Sequence, residues 1–316
     1  MTVDLAGRAS TAAVEKQRVT FVPPNQAILL IIGQDVEAIN GYMQATNQVP
    51  AGIMAYTSIQ ELQGLEQPVD YGGGIQHAQA LIERYPQSVL QLGLWMVEAL
   101  EDIAAGQYDP QIDRLGAWMA GLKRPVYLRI GYEFDFPENG YEPAAYVRAY
   151  RYLVDWLRGY GINNVASVWH SYAADNTVPL AAWYPGDDYV DWCAISYFDQ
   201  NPSCFEPMAA FAREHQKPLM IAEATPRGIG TSDTQAWMRW FRDCAAFIDR
   251  AHVKALSYIN VNWEMLRMFQ GQGWGDTRIE ANPAVQRAWL EATNTKPYLR
   301  ASPTLYKTLH DRTPHD

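Results

Sequence analysis

At 316 residues the chain is long enough to bury a large core, either as one barrel-sized domain or as two smaller ones. Its hydrophobic fraction of 48% and charged fraction of 19% exclude a disordered or fibrous protein. The formal net charge of -10 argues against nucleic acid, an anionic membrane or a polyanionic substrate as partner, since each would be repelled.

The chain begins with a polar, poorly patterned leader over residues 1–23, without the apolar stretch of a signal peptide, and no run of about 18 uncharged apolar residues follows it anywhere. The expected location is the cytoplasm as the chain stands, or outside the cell if a leader has been removed. Ala27 to Gln34 then reads as a buried strand, short and apolar. Asp35 to Thr46 has mixed helical periodicity. Gly52 to Ser58 is a second strand, Ile75 to Tyr85 a helix, and Val89 to Val97 a third strand. Ile112 to Leu122 is an amphipathic helix and Pro125 to Glu133 a fourth strand that stops on a carboxylate. A helix from Tyr146 to Tyr160 is closed by Gly161, and Asn164 to His170 is the fifth strand. Pro185 to Asp188 reads as a turn, because it lacks the alternating oxygen ligands of a calcium loop. Trp192 to Phe198 is the sixth strand, Pro218 to Glu223 the seventh, Thr234 to Ala251 a helix, Ala255 to Trp263 the eighth strand and Ala284 to Ala292 a closing helix. Residues 298–316 read as a polar tail.

Eight short apolar strands separated by helical patterns imply parallel pairing through right-handed crossovers, and the count of eight points to a single-domain α/β fold, a closed (β/α)₈ TIM barrel over residues 24–297. A doubly wound open sheet is the competing architecture. The first strand ends Ile-Gly-Gln-Asp, however, without a Gly-rich phosphate loop.

In such a barrel the strand C-termini converge on one face. Collected there are Trp95 and Glu98, Tyr132, Glu133 and Asp135, Trp169 and His170, Tyr197, Glu223, and Trp263 and Glu264. This is a carboxylate pocket walled with aromatics, and 11 Trp and 19 Tyr supply rings suited to stacking on the flat apolar faces of sugars. Trp274 is a further candidate for lining the cleft. Two carboxylates flanking a glycosidic bond are the minimum for its hydrolysis. The fourth and seventh strands lie across the barrel axis from each other, which suits Glu133 and Glu223 as a pair about 5 Å apart and hence retention of configuration. Arg129 shares parity with residues 131 and 133 and is expected to face the same interior, pairing with a carboxylate. Asp135 is either an acceptor for a sugar hydroxyl, a like charge that keeps Glu133 protonated, or a loop carboxylate paired with a cation. His170 is either a substrate contact or a satisfied buried polar group. Cys193, Cys204 and Cys244 have no C-x-x-C spacing, and no H-x-H or H-E-x-x-H occurs, so neither a disulfide framework nor a metal cofactor is expected.

From about Arg124 to Trp289 the sequence resembles glycoside hydrolase family 26, within the superfamily of retaining barrel glycosidases. The most specific piece is Trp183-Tyr-Pro-Gly-Asp-Asp-Tyr-Val-Asp-Trp192, similar to a Tyr-Pro-Gly-Asp-x-Tyr-Val-Asp segment of that family, together with Arg129 four residues before Glu133. The resemblance implies Glu133 as acid/base on the fourth strand and Glu223 as nucleophile on the seventh. It further implies Tyr197 as the sixth-strand tyrosine that orients the nucleophile, Trp263 as the floor beneath the reacting sugar and Trp169 as an aromatic near the same subsite. The chain departs from the family's mannanases at Tyr132-Glu133-Phe134-Asp135, where they usually read His-Glu-x-Asn. The implied function is retaining hydrolysis of a neutral β-linked polysaccharide of the mannan, β-glucan or xylan class. A reading from another class is a non-catalytic carbohydrate-binding barrel that has lost efficient hydrolysis through the changes at Tyr132 and Asp135.

Overall fold

A computed structural model describes residues 21–175 and 178–310. Eight parallel strands form the barrel: β1 Ile28–Gly33, β2 Gly52–Ser58, β3 Val89–Trp95, β4 Val126–Ile130, β5 Val165–Ser171, β6 Trp192–Tyr197, β7 Leu219–Ala224 and β8 Ala255–Ile259. Each pairs with its sequence neighbour, and β1 closes the ring on β8 from Leu29↔Ala255 to Gly33↔Ile259. The single-domain (β/α)₈ barrel expected from the strand count is therefore the fold.

The strands are apolar on both faces because both are buried, and the two faces belong to separate cores. Facing outward, Leu128 and Ile130 of β4, Trp169 of β5 and Ile195 and Tyr197 of β6 pack against the helical layer. Facing inward, Leu29 and Ile31, Met54, Tyr127, Val168, Trp192, Met220 and Ile259 fill the barrel. Helices cover the strands with one apolar stripe each. Val36–Thr46 begins at Asp35, whose carboxylate accepts from the Glu37 and Ala38 amides at 2.8 and 3.1 Å, a cap whose removal costs about 0.5–2 kcal/mol. Pro143–Gly159 and Thr234–Arg250 are the longest, and Trp237 and Tyr150 are fully buried on their inner faces.

Several elements differ from the sequence reading at their ends. The helix expected from Ile75 begins at Ala78, because Ile75–Gln76 instead pairs antiparallel with Val69–Asp70 in a hairpin turned by Gly72 and Gly74, both at positive φ. The eighth strand stops at Ile259, and Trp263 lies in a 3-10 turn. The fourth strand stops at Ile130. Gly131 and Glu133 follow at φ 53° and 54°, a left-handed conformation that glycine takes freely and glutamate does not. The segment read as a polar tail is also structured as far as residue 310. Tyr298–Leu299 adds to β1, and the helix Leu305–His310 buries Leu305 and Leu309 under the barrel floor. There the Tyr127 hydroxyl donates to the Phe21 carbonyl at 2.7 Å, and the Phe21 ring meets His310 edge to face. Most of the leader, residues 1–20, and the end of the tail, residues 311–316, lie outside the described residues.

Candidate active site

A cleft of about 420 Å³ opens at the C-terminal ends of the strands, and Glu133 and Glu223 both line it. The two side chains arrive by different routes. On β7, Met220 and Ala222 point inward and regular alternation would send Glu223 outward with Ile221. Pairing with both neighbouring strands skips one residue here: Ile195↔Ile221 is followed by Ser196↔Glu223, and Leu256↔Ile221 by Tyr258↔Ala224. This β-bulge gives β7 two consecutive inward residues and aims Glu223 into the cleft.

Glu133 is delivered by the turn after β4. Its left-handed backbone costs about 1–3 kcal/mol and has to be held by the surroundings. Asn139 Nδ2 donates to the Glu133 carbonyl at 2.9 Å and to the Tyr132 carbonyl at 3.3 Å. The Phe134 amide donates to the His170 carbonyl at 3.1 Å, and Asp135 accepts from the Ser171 hydroxyl at 2.7 Å and the Tyr172 amide at 2.6 Å. The two residues after Glu133 are thus stitched to the top of β5. Asp135 does this work with its carboxylate turned away from the cleft, which corrects its expected place as a sugar-hydroxyl acceptor.

The surroundings of the two carboxylates are opposed. Glu223 Oε1 forms an ion pair with Arg129 Nη1 and accepts from the Tyr56 hydroxyl at 2.9 Å. Arg129 is fully buried and lies against two rings that meet edge to face, 4.7 Å from the Tyr56 centroid and 5.1 Å from that of Tyr132. Gly93 on β3 makes room for this arrangement, since a Cβ there would stand 2.7 Å from Tyr56 Cδ1 and 2.9 Å from Arg129 Nη2. Among the described residues no cation forms an ion pair with Glu133. Burial and then the negative charge of Glu223 push its carboxyl well above the usual range, against a hydrogen bond from the Ser196 hydroxyl at 2.6 Å. One carboxylate is paired with a buried guanidinium and the other is biased towards the acid, the asymmetry that general-acid and nucleophilic roles require.

Aromatic rings line both flanks. Trp263 is almost fully buried, with its indole N–H on the Thr225 and Thr277 hydroxyls at 3.3 and 3.1 Å and its ring against Trp274. Trp95 and Tyr132 form another wall, with ring centroids 5.7 Å apart. Beyond Glu133, Phe136 packs on Tyr172 at 4.4 Å, and the Arg227 guanidinium lies 4.2 Å over Trp274 and donates to the Tyr172 hydroxyl. The hairpin of residues 69–76 closes one side, held by the Met268 amide on the Gly72 carbonyl at 2.9 Å and Gln34 Nε2 on the Gly73 carbonyl at 3.1 Å.

Not every residue expected at this face is in the cleft. Trp169 and Tyr197 point into the helical layer. Trp169 stacks on Phe134 at 4.7 Å and 11°, and Tyr197 stacks on Phe205 at 4.3 Å. Parity is the cause: Val168 and His170 are the inward residues of β5, and Ala194 and Ser196 those of β6, so their odd-numbered neighbours must face out. His170 is fully buried behind Ser196 and does not line the cleft. Glu98 is exposed, and Glu264 accepts from the Gly271 and Gly275 amides, holding the loop after β8. Tyr56 and Ser196, which touch the two carboxylates, were not singled out from the sequence. Their signal was inward parity one or two residues before a strand end. Among the described residues no group of three or more His, Cys, Asp or Glu stands together that could hold a metal ion.

The geometry fits what the chain is similar to. The family model described as Glycosyl hydrolase family 26 matches residues 100–258, which include β4 to β7 and both glutamates. A β-1,3-xylanase from Vibrio sp, TXYA, is 33% identical over 90% of this chain and 69% of its own length. The chain belongs to glycosyl hydrolase family 26. A second relative, a β-1,3-xylanase from Alcaligenes sp, is 32% identical over 90% of this chain and 67% of its own. Among solved structures, a family 26 β-mannanase from Bacteroides ovatus superposes with a TM-score of 0.67 at 16% identity, covering 92% of this chain and 95% of that one. The catalytic domain of a family 26 endo-β-1,4-mannanase from Bacillus sp. JAMB-750 gives 0.64 at 15%, covering 90% of each. At such identities these two speak for the fold. As a member of family 26 the protein is a glycoside hydrolase of a β-linked polysaccharide, acting with retention.

Proposed function

We propose that this family 26 enzyme cleaves β-1,3-linked xylan by double displacement, with Glu223 as nucleophile and Glu133 as acid/base. The observation that carries the residue roles is the opposed environment of the two carboxylates, one held by Arg129 and Tyr56 and the other raised by burial beside the first. In the first step a Glu223 carboxylate oxygen attacks the anomeric carbon. The bond to the leaving sugar breaks, and its oxygen takes the proton from Glu133. In the second step Glu133, now a carboxylate, takes a proton from water while that water's oxygen attacks the same carbon and displaces Glu223, giving back the original configuration. Trp263 is the floor for the reacting sugar, and Trp95 and Tyr132 flank it. Trp274, Arg227 and Tyr172 serve the sugars beyond the cleaved bond.

The substrate class is supported by identities of 33% and 32% to two β-1,3-xylanases over nine-tenths of the chain, and by Tyr132 where the family's mannanases usually carry histidine. The test is a comparison of β-1,3-xylan with β-1,4-xylan, β-1,4-mannan and β-1,3-glucan, with the first-formed anomer followed by NMR. Preferential cleavage of β-1,3-xylan to β-configured ends is expected, and faster cleavage of mannan would overturn the substrate assignment. Glu223→Ala should lose on the order of 10⁴-fold or more in kcat. Azide should then restore turnover as a glycosyl azide of inverted configuration, whereas wild-type activity in this variant would sink the mechanism.

A further inference from the structure

Behind Glu133 the structure holds a polar chain that the two-carboxylate mechanism does not use. Ser196, inward on β6 and fully buried, donates to Glu133 Oε1 at 2.6 Å, and its oxygen lies 3.1 Å from Nε2 of His170, inward on β5 and also fully buried. A serine hydroxyl has one hydrogen. With that hydrogen on Glu133, the contact to His170 is satisfied only if Nε2 carries a hydrogen and donates it. Nδ1 is then a bare acceptor, and it is a buried atom without a hydrogen-bond partner among the described residues. The reverse arrangement would leave an orphaned N–H at Nδ1, the rarer and costlier defect. Burial, followed by the nearby positive charge of Arg129, holds His170 neutral. Glu133 Oε2 makes no hydrogen bond among the described residues.

We propose, resting on Glu133 as the acid/base, that Ser196, fixed as a donor by the Nε2–H tautomer of His170, is a positioning residue that reserves Oε1 of Glu133 and leaves Oε2 to carry the proton given to the glycosidic oxygen. The same donor stabilises the carboxylate that must form between the two steps, so the pair governs how readily Glu133 alternates between acid and base. Of the other groups acting on Glu133, Asp135 raises its carboxyl and Arg129 lowers it throughout, Tyr132 and Tyr172 stand beside it as neutral phenols, and Glu223 raises it only until its carboxylate is esterified in the first step. Ser196 is a neutral group among these influences, and it can be removed without changing any charge.

The experiment measures pH profiles of Ser196→Ala, His170→Phe and His170→Gln on a β-1,3-xylooligosaccharide and on an aryl β-xylobioside with a 2,4-dinitrophenyl leaving group, whose departure needs no acid. Losing the donor should move the alkaline limb of kcat/KM on the oligosaccharide up by about one pH unit in Ser196→Ala. On the aryl substrate, where the second step limits and Glu223 is esterified, the acid limb of kcat should likewise move up by about one pH unit, because protonation of Glu133 then removes the base. His170→Phe should reproduce both effects, and His170→Gln, whose amide can donate from a similar place, should restore the wild-type limb. An unmoved limb in Ser196→Ala, or identical shifts in the Gln and Phe variants, overturns the proposal. Should His170→Phe fail to fold, Ser196→Ala and His170→Gln still decide it. Glu133→Ala on the same two substrates separates the underlying assignment: loss on the oligosaccharide with a fast first step on the aryl glycoside supports the acid/base role. Equal loss on both removes that role and this inference with it.

Discussion

The tops of β4 and β7 carry the same side chain and treat it in opposite ways. At β7 the chain stays in the sheet, and a bulge turns Glu223 onto a buried guanidinium and a tyrosine hydroxyl. At β4 the chain leaves the sheet three residues early, and a strained turn presents Glu133 to a serine, with no ion-paired cation among the described residues. The surroundings of the two glutamates therefore differ because of how the backbone delivers them and what it leaves within reach, and at Glu133 they push the carboxyl up.

The largest effect on this contrast is expected from removing the clamp. Arg129→Met leaves Glu223 as an uncompensated buried charge, a loss of about 3–5 kcal/mol of stability that denaturant unfolding would read. kcat should fall on the order of 10²- to 10³-fold. A variant as stable and active as the parent would mean that the ion pair does not hold Glu223 for its proposed role. Gly93→Ala is a subtler break, because its Cβ would collide with both the Tyr56 ring and the Arg129 guanidinium while adding a single methyl group. A displacement of that order should lower kcat/KM about 10²-fold with little change in far-UV circular dichroism. Tyr56→Phe removes one hydrogen bond to a charged group and should reduce kcat about tenfold.

Charge coupling gives a fourth prediction. Since the Glu223 carboxylate is the second-largest cause holding Glu133 protonated, Glu223→Gln should move the Glu133 titration to lower pH, as ¹³C NMR of labelled glutamate would show. In the wild type the raised folded-state value has a sign for stability as well. The contribution of Glu133 is complete below the ordinary carboxylate range and declines as pH rises through its raised value. Glu133→Gln should abolish that decline between pH 5 and pH 9, and an unchanged stability profile would contradict it. The smallest effect is expected at Tyr197. Its ring lies on Phe205 in the helical layer, so Tyr197→Phe should leave kcat/KM within about twofold. A large loss would restore it to the site.

The barrel was legible in the sequence because fully buried strands have a plain signature, short apolar runs between helical patterns. The glutamates stood out for the same reason, as charged endings to such runs. What alternation could not show is where it fails. The bulge at Ala222-Glu223 and the left-handed turn at Glu133 are made by pairing between distant strands and by Asn139, and neither leaves a local pattern. Where alternation holds, it was the better guide: counted from the inward Trp192 it sends Tyr197 outward and Ser196 inward, against the expectation drawn from family resemblance. Trp169 is the same error on β5. The order of the segment after residue 297 was hidden because Leu305 and Leu309 become apolar neighbours only once a barrel floor exists beneath them.

That floor also decides how the enzyme can be attached to other things. Phe21 and His310 meet ring to ring beneath the strands, so the first and last of the described residues both lie on the side remote from the cleft. A tether, a bead or a sugar-binding module fixed beside either of these two rings would sit on the face opposite the mouth, which would stay open to a solid polysaccharide.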